Sequence, residues 1–436
     1  MYLLYSALLA ASLLVSLPYW MFGKRRHGKY REGLGERLGK VPLRLQGQAQ
    51  PAVWVHAVSV GEVLAVGELV EELRRRFPHR VVVSSTTATG QKLAKKRFGE
   101  ESVFYFPLDF GFAIRPYLTA LKPQLIVIAE TEFWPNFLRL ARKGGARVAV
   151  VNARISDRSW PGYRRARRLG ILAGVLRNVD LFLAQTAEDA RRLQDIGAPA
   201  ERVQVTGNLK FDVLAPDPPA IVASLRSAFQ QAGAGPVVVC GSTVEEEEGL
   251  LLLAFQNVLA SYPRAVMILA PRHPERFGEV ARLLEQMGLR FWRRALWGGD
   301  SLAGGVFLVD TIGELASLYA LGDVAFVGGS LVARGGHNII EPAQHGVPII
   351  VGSHTENFRD IVGLFQHHDA VRVVGPAEFP LVLMDLLSHE AERLALGRRG
   401  AETLRSQMGA TERTANALEK LLESTSDGVG SQTTIR

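Results

Sequence analysis

Short apolar runs alternate along the chain with longer segments in which apolar residues recur every three or four positions. The runs Val53–Val58, Val81–Ser84, Leu125–Ile128, Val148–Val151 and Leu181–Ala184 have the length and β-branched content of buried strands. Helical periodicity fills the stretches that follow most of them. This rhythm predicts β-α-β units: a parallel sheet covered by helices, with functional loops at the carboxyl ends of the strands. A second series begins at Val237–Cys240 and continues through Ala265–Leu269, Gly305–Val309, Val324–Val327 and Pro348–Val351. Between the two series lies the proline-rich stretch Ala215–Pro219, which reads as a linker. The expected fold class is therefore α/β, with two Rossmann-like domains, 23–214 and 220–423, facing each other across a cleft. A polar, glycine-rich tail, 424–436, is expected to be disordered.

The first 22 residues break this rhythm. Met1 to Phe22 carries no charged side chain, and as a helix it would measure about 33 Å, close to the roughly 30 Å hydrocarbon core of a bilayer. Positive charges follow the apolar stretch from Lys24 onward instead of preceding it, unlike a cleaved secretory signal. The segment is expected to be a single membrane-spanning anchor with the body on the cytoplasmic side of the inner membrane, and Tyr19 and Trp20 to be interfacial aromatics. A helix lying in the membrane surface is the alternative, because Pro18 and the serines weaken the span.

Charge sharpens this reading. The formal net charge is +8, and two stretches exceed the whole surplus: Lys24–Lys40 and Arg154–Arg168 each carry a net +5. No zinc-finger spacing, RNP-like aromatic motif or basic zipper accompanies them, so the expected partner is the anionic inner leaflet and not nucleic acid. Composition adds that 47% of the 436 residues are hydrophobic, enough for two cores of ordinary size. The one cysteine, Cys240, sits in an apolar run and cannot form an intramolecular disulfide, which fits a reducing compartment.

Candidate chemistry clusters where the strands end. Ser59-Val60-Gly61-Glu62 leads out of the first strand, so Glu62 can serve as a general base facing a cleft, although Ser59-x-x-Glu62 is equally a capping box. Glu130-Thr131-Glu132 repeats the situation after the third strand, and packing does not explain two acidic residues there. In the second half, Pro271-Arg272-His273-Pro274 holds Arg272 and His273 out from a stiff turn, and arginine suits bidentate phosphate contact. Asp310-Thr311-Ile312-Gly313-Glu314 follows another strand, and Thr311-x-x-Glu314 is a second possible capping box. Gly328-Gly329-Ser330 and Gly335-Gly336-His337-Asn338 precede a helix holding Glu341, as a phosphate-type turn beside a ribose-binding acid would. Walker A, G-x-S-x-G, H-E-x-x-H and G-x-G-x-x-G motifs are absent, as is any Asp-x-Asp that would hold a metal against a diphosphate.

At these residues the chain resembles the bacterial 3-deoxy-D-manno-octulosonic acid (Kdo) transferases of lipopolysaccharide assembly, a GT-B family. The likeness extends from the amino terminus to about Leu421. It is carried by Ser59–Glu62, Glu130–Asn136, Asn152–Ser156, Gly207–Asp212, Pro271–Pro274 and Gly335–Asn338. The resemblance implies an inverting transfer of Kdo from CMP-Kdo to a lipid A precursor, with no metal or other cofactor. By position it implies Glu62 as the base, with Glu132 and Lys210 stabilising the transition state. The implied nucleotide-binding elements are Pro271, Arg272 and His273, the turn Ile312, Gly313 and Glu314, and Gly335, Gly336, Asn338, Ile339, Ile340 and Glu341. Ser59 and Arg154 fall on the acceptor side. One departure stands out: within Gly241–Glu248, Val244 and Glu246 replace the usual histidine and glycine. Two other readings stay open, a GT-B transferase or epimerase acting on a UDP-sugar and a catalytically inactive membrane-tethered binding protein.

Overall fold

The computed structural model describes residues 2–23, 33–157, 159–168, 170–213 and 217–429. Side chains are described for all of these except 16–23, 171 and 424–429. The expected interfacial aromatics Tyr19 and Trp20, and the basic residues from Lys24 to Arg31, lie outside that description.

The chain divides into two compact units, the first comprising 1–213 together with 407–436 and the second 214–406. Among the described residues the first unit carries a seven-stranded sheet in the order β3-β2-β1-β4-β5-β6-β7. Its strands are β1 (Ala52–His56), β2 (Arg80–Ser85), β3 (Val103–Tyr105), β4 (Leu125–Ala129), β5 (Arg147–Ala153), β6 (Leu181–Ala184) and β7 (Val203–Val205). The second unit repeats the plan in the order β10-β11-β9-β8-β12-β13-β14. Here the strands are β8 (Val237–Thr243), β9 (Val266–Pro271), β10 (Phe291–Arg293), β11 (Gly305–Leu308), β12 (Val324–Val327), β13 (Ile349–Gly352) and β14 (Arg372–Val374). Every pairing is parallel, as β-α-β connections require. The central strands β1, β4 and β12 are buried throughout, and β8 at every residue but Ser242, which is why they read as continuous apolar runs.

Both faces of the first sheet are covered. Trp54, Phe104, Phe106, Tyr117 and Phe137 build an aromatic core on one side, and Val53, Val55, Leu69, Val83 and Leu183 pack on the other. That second face is completed from the far end of the chain. The helix Ala410–Val429 adds Ala410, Ala415 and Leu418 to it. Both Asp212 carboxylate oxygens accept from its amino-terminal backbone, Gly409 N at 2.7 Å and Thr411 N at 2.5 Å. The second unit accordingly ends at Ser406 and not at 423, and the helix runs six residues past that expected boundary.

The amino-terminal segment is also corrected. It is helical from Tyr2 to Gly23, but no described helix is long and apolar enough to cross a membrane. The spanning anchor therefore lacks support. The helix instead docks on the first unit through its polar side chains. Tyr2 Oη donates to Gly174 O at 3.2 Å and accepts from Asn178 Nδ2, Ser6 Oγ accepts from Asn136 Nδ2 at 2.9 Å, and Arg139 stacks over the Tyr2 ring. Leu3, Leu4, Leu8, Leu14 and Val15 point the other way, Leu3 89% and Val15 81% exposed. Tyr2 and Ser6 bond to the protein while five large apolar side chains face outward, the reverse of an ordinary surface helix.

Candidate functional site

In the first unit, candidate groups gather at the carboxyl ends of β1, β4 and β5. Ser59 caps the short helix Val60–Ala65: its hydroxyl accepts from Glu62 N and donates to Glu62 Oε1 at 2.9 Å. Glu62 Oε2 accepts from Val58 N at 2.8 Å. Ser59 is thus the N-cap, but the return bond of a capping box goes to Val58 N and not to Ser59 N; the carboxylate is fixed with one bond to each oxygen, leaving further lone pairs on both. Glu62 is 7% exposed. Burial pushes its carboxyl up to about 7, the nearby charges of Glu130 and Glu132 push the same way, and the bonds from Val58 and Ser59 oppose them.

The Glu130-Thr131-Glu132 turn lies at the end of β4. Glu130 has φ +57°, a left-handed conformation that costs a non-glycine residue about 1 kcal/mol or more. Its amide still continues the ladder to Val151 O at 2.9 Å. Lys210 Nζ lies 3.6 Å from Glu130 Oε1, so Lys210 pairs with Glu130 and not with Glu132. Glu132 is raised by burial and by the charge of Glu130. Lys210 is held by asparagines: Asn208 Oδ1 accepts its amide at 3.0 Å, and Asn152 Oδ1 accepts that of Leu209 at 3.0 Å. Asn152, at φ +53°, leaves its Nδ2 buried without a partner among the described residues. Arg154 enters through its backbone, where its carbonyl accepts from Thr131 Oγ1 at 2.9 Å.

The second unit arranges its candidates around β8, β9 and β12. Pro271 is buried at the end of β9, and Arg272 and His273 are exposed just beyond it, with Arg272 N donating to Thr243 O at 2.8 Å. His337 lies beside them. Burial, then the charges of Arg272 and His273, lower it to about 4, so it is neutral at physiological pH. Its Nε2 is buried without a partner among the described residues, 2.8 Å from where a Cβ on Gly329 would stand. Glycine is obligatory there. Gly335 and Gly336, at φ +85° and +73°, leave the same requirement, since a Cβ on Gly335 would stand 2.4 Å from Asn357 Nδ2. Asn338 Oδ1 accepts from Ile340 N at 3.1 Å, and its Nδ2 donates to Glu341 Oε1 at 3.3 Å; burial raises the Glu341 carboxyl. Ile339 and Ile340 are core side chains, able to offer a ligand only their backbone.

The Gly328-Gly329-Ser330 turn departs from its phosphate-binding appearance. Glu247, fully buried, already takes its amides: Oε2 accepts from Gly329 N at 2.7 Å, and Oε1 from Ser330 N and Leu331 N at 2.9 Å each. Oε2 also accepts from Val244 N at 3.1 Å. An anion is built into the nest. At the opposite edge, Ile312 is exposed, Gly313 has φ +95°, and Glu314 is clamped by Arg294 at 2.8 and 3.1 Å.

Sequence reasoning passed over Glu247, His337 as a site residue, and the Glu130–Lys210 pairing. Glu130 and His337 stood inside motifs already singled out. Glu247 lay within Gly241–Glu248 but nothing there marked it out, because a carboxylate that serves backbone amides has no pattern of its own.

A model of the 3-deoxy-D-manno-octulosonic acid transferase (kdotransferase) family matches residues 32–213. The 3-deoxy-D-manno-octulosonic acid transferase of Haemophilus influenzae is 35% identical over 405 residues, covering 91% of this chain and 92% of its own. That of Bordetella pertussis is 37% identical over 436 residues, covering 95% and 98%. Among solved structures, the UDP-GlcNAc 2-epimerase of Neisseria meningitidis aligns with a TM-score of 0.57 at 14% identity, over 85% of this chain and all of that one, a likeness of fold alone. Near-complete coverage at such identity, with the motif residues standing where two parallel α/β sheets present their carboxyl edges, means that the chain belongs to the 3-deoxy-D-manno-octulosonic acid transferases, glycosyltransferases of lipopolysaccharide biosynthesis.

Proposed function

We propose that this chain moves Kdo from CMP-Kdo to a hydroxyl of a lipid A precursor with inversion, and that Glu62 is the general base. The observation that carries the reading is the Glu62 carboxyl, raised to about 7 by burial among carboxylates. A base tuned near neutral pH is charged often enough to accept a proton and basic enough to draw one from a hydroxyl. Glu130 holds the Lys210 ammonium at the same sheet edge, beside Glu132, where developing charge can be balanced. Ser59 and Arg154 belong to the segments that fix Glu62 and the acidic turn, on the acceptor side. Arg272 and His273, close enough to His337 to shift it, supply donors for the single phosphate of a nucleoside monophosphate leaving group.

The outward leucines of the amino-terminal helix support attachment in the plane of the inner membrane. Mass spectrometry of a lipid A precursor after incubation with CMP-Kdo tests the reading, a gain of whole Kdo increments being expected. Glu62→Gln should reduce that gain about 100- to 10,000-fold at unchanged fold, the usual contribution of general base catalysis. Release of UDP from UDP-sugars, with no CMP from CMP-Kdo, would favour the epimerase-like alternative that shares the fold.

A further inference from the structure

The helix Trp160–Arg168 is joined to the acidic turn after β4 by a hydrogen bond. Tyr163 Oη donates to Thr131 O at 3.3 Å, and its ring meets Phe133 edge-on at 6.1 Å between centroids. Thr131 lies between Glu130 and Glu132, and Glu130 is held at φ +57°, so the turn carries strain that its surroundings must support. Trp160, Tyr163 and Ala166 pack inward against the core. Arg164, Arg165 and Arg168 face outward, exposed, with no carboxylate at ion-pair distance among the described residues. Arg167 is engaged differently, donating to the carbonyl of Asp195. One nine-residue helix therefore presents uncompensated guanidinium groups on its outer face and grips the acidic turn on its inner face. Clustered guanidinium groups repel one another unless an anion joins them, and their forked donors match phosphate oxygens.

We propose that Tyr163 is a positioning residue through which phosphate on the acceptor, bound by Arg164, Arg165 and Arg168, sets the Glu130–Glu132 turn in its working geometry. This deepens the reading of the chain as a transferase acting on a lipid A precursor and rests on it. The helix is short and rigid, so an anion that settles its outer face also settles the phenol on its inner face.

The test uses the full chain in neutral detergent micelles, with CMP-Kdo as donor and two acceptors, a lipid A precursor bearing its phosphates and the same molecule dephosphorylated. The quantity read is the ratio of kcat/KM between them. The wild-type ratio should be about tenfold or more. The triple variant Arg164→Gln, Arg165→Gln, Arg168→Gln should bring it close to one through KM. Tyr163→Phe, which keeps the ring against Phe133 and so keeps the fold, should leave KM for the phosphorylated acceptor in place while kcat falls about tenfold. That split is one a merely structural tyrosine would not give. A wild-type ratio of one overturns the proposal, as does Tyr163→Phe with wild-type kcat. So does a gain that phosphatidylglycerol in the micelles supplies to the dephosphorylated acceptor, which would assign the arginines to bulk lipid. Failure of the underlying reading looks different: the wild-type chain then transfers Kdo to neither acceptor.

Discussion

Glu62 and Glu246 are each held in an uncommon state by their surroundings. Glu62 has its folded carboxyl raised to about 7 by burial, so its proton is held more tightly in the folded chain than in the unfolded one. Its contribution to stability is complete below the ordinary carboxyl range and is lost as pH rises through about 7. Thermal unfolding across that window should therefore show the wild type losing ground to Glu62→Gln as pH rises, by up to about 3 kcal/mol. The acid limb of the wild-type pH–rate profile should fall in the same region. Glu246 lies at φ +74° and ψ −20°, at the position where the resemblance implies glycine. Glu246→Gly should raise the urea unfolding midpoint by the equivalent of about 1 kcal/mol, since the left-handed conformation costs a side chain that much. The resemblance flagged position 246, but its backbone angle could not be read from the residue alone.

Among the elements, the ones legible in the sequence are the buried ones. The ten strands anticipated from apolar runs are all present, with ends shifted by at most three residues. The four that were missed, β3, β7, β10 and β14, are three residues long and form the four edges of the two sheets. Val203–Val205 and Phe291–Arg293 are only partly buried and have no continuous apolar run to reveal them, while β3, buried at all three residues, is too short to stand out. The site follows the same logic. Motif residues at strand ends were legible, because a charge next to a buried strand is conspicuous, whereas Glu247 sits in an apolar helix and joins two loops 82 to 84 residues apart. Glu247→Ala would strand four amides in the interior and should destabilise the second unit by about 3 kcal/mol or more in chemical denaturation. Its binding of CMP, measured calorimetrically, should weaken with the loss of the loop. Glu247→Gln, which keeps one acceptor oxygen, should lie between the two.

For the whole molecule, the proposed membrane attachment rests on the amino-terminal helix. Its docked face is polar and its free face apolar, so removing the free face costs no folding energy. Leu3→Gln, Leu4→Gln and Leu8→Gln together should leave the unfolding midpoint unchanged and release the chain from anionic vesicles in flotation assays. Burial of about 0.8 kcal/mol per methylene makes three leucines a large share of such an attachment. Undiminished flotation would mean that the arginine-bearing surface binds lipid without the helix.

The return of the last helix to the first unit has a consequence for synthesis. Ala410, Ala415 and Leu418 finish a core whose other members, Val53 to Leu209, emerge from the ribosome about two hundred residues or more earlier. The portion translated first must wait, incomplete, while the portion translated second has all its strands by Ser406. Maturation thus runs opposite to the usual amino-to-carboxyl order of multidomain chains. Protease challenge of stalled nascent chains should find the later half resistant before the earlier one.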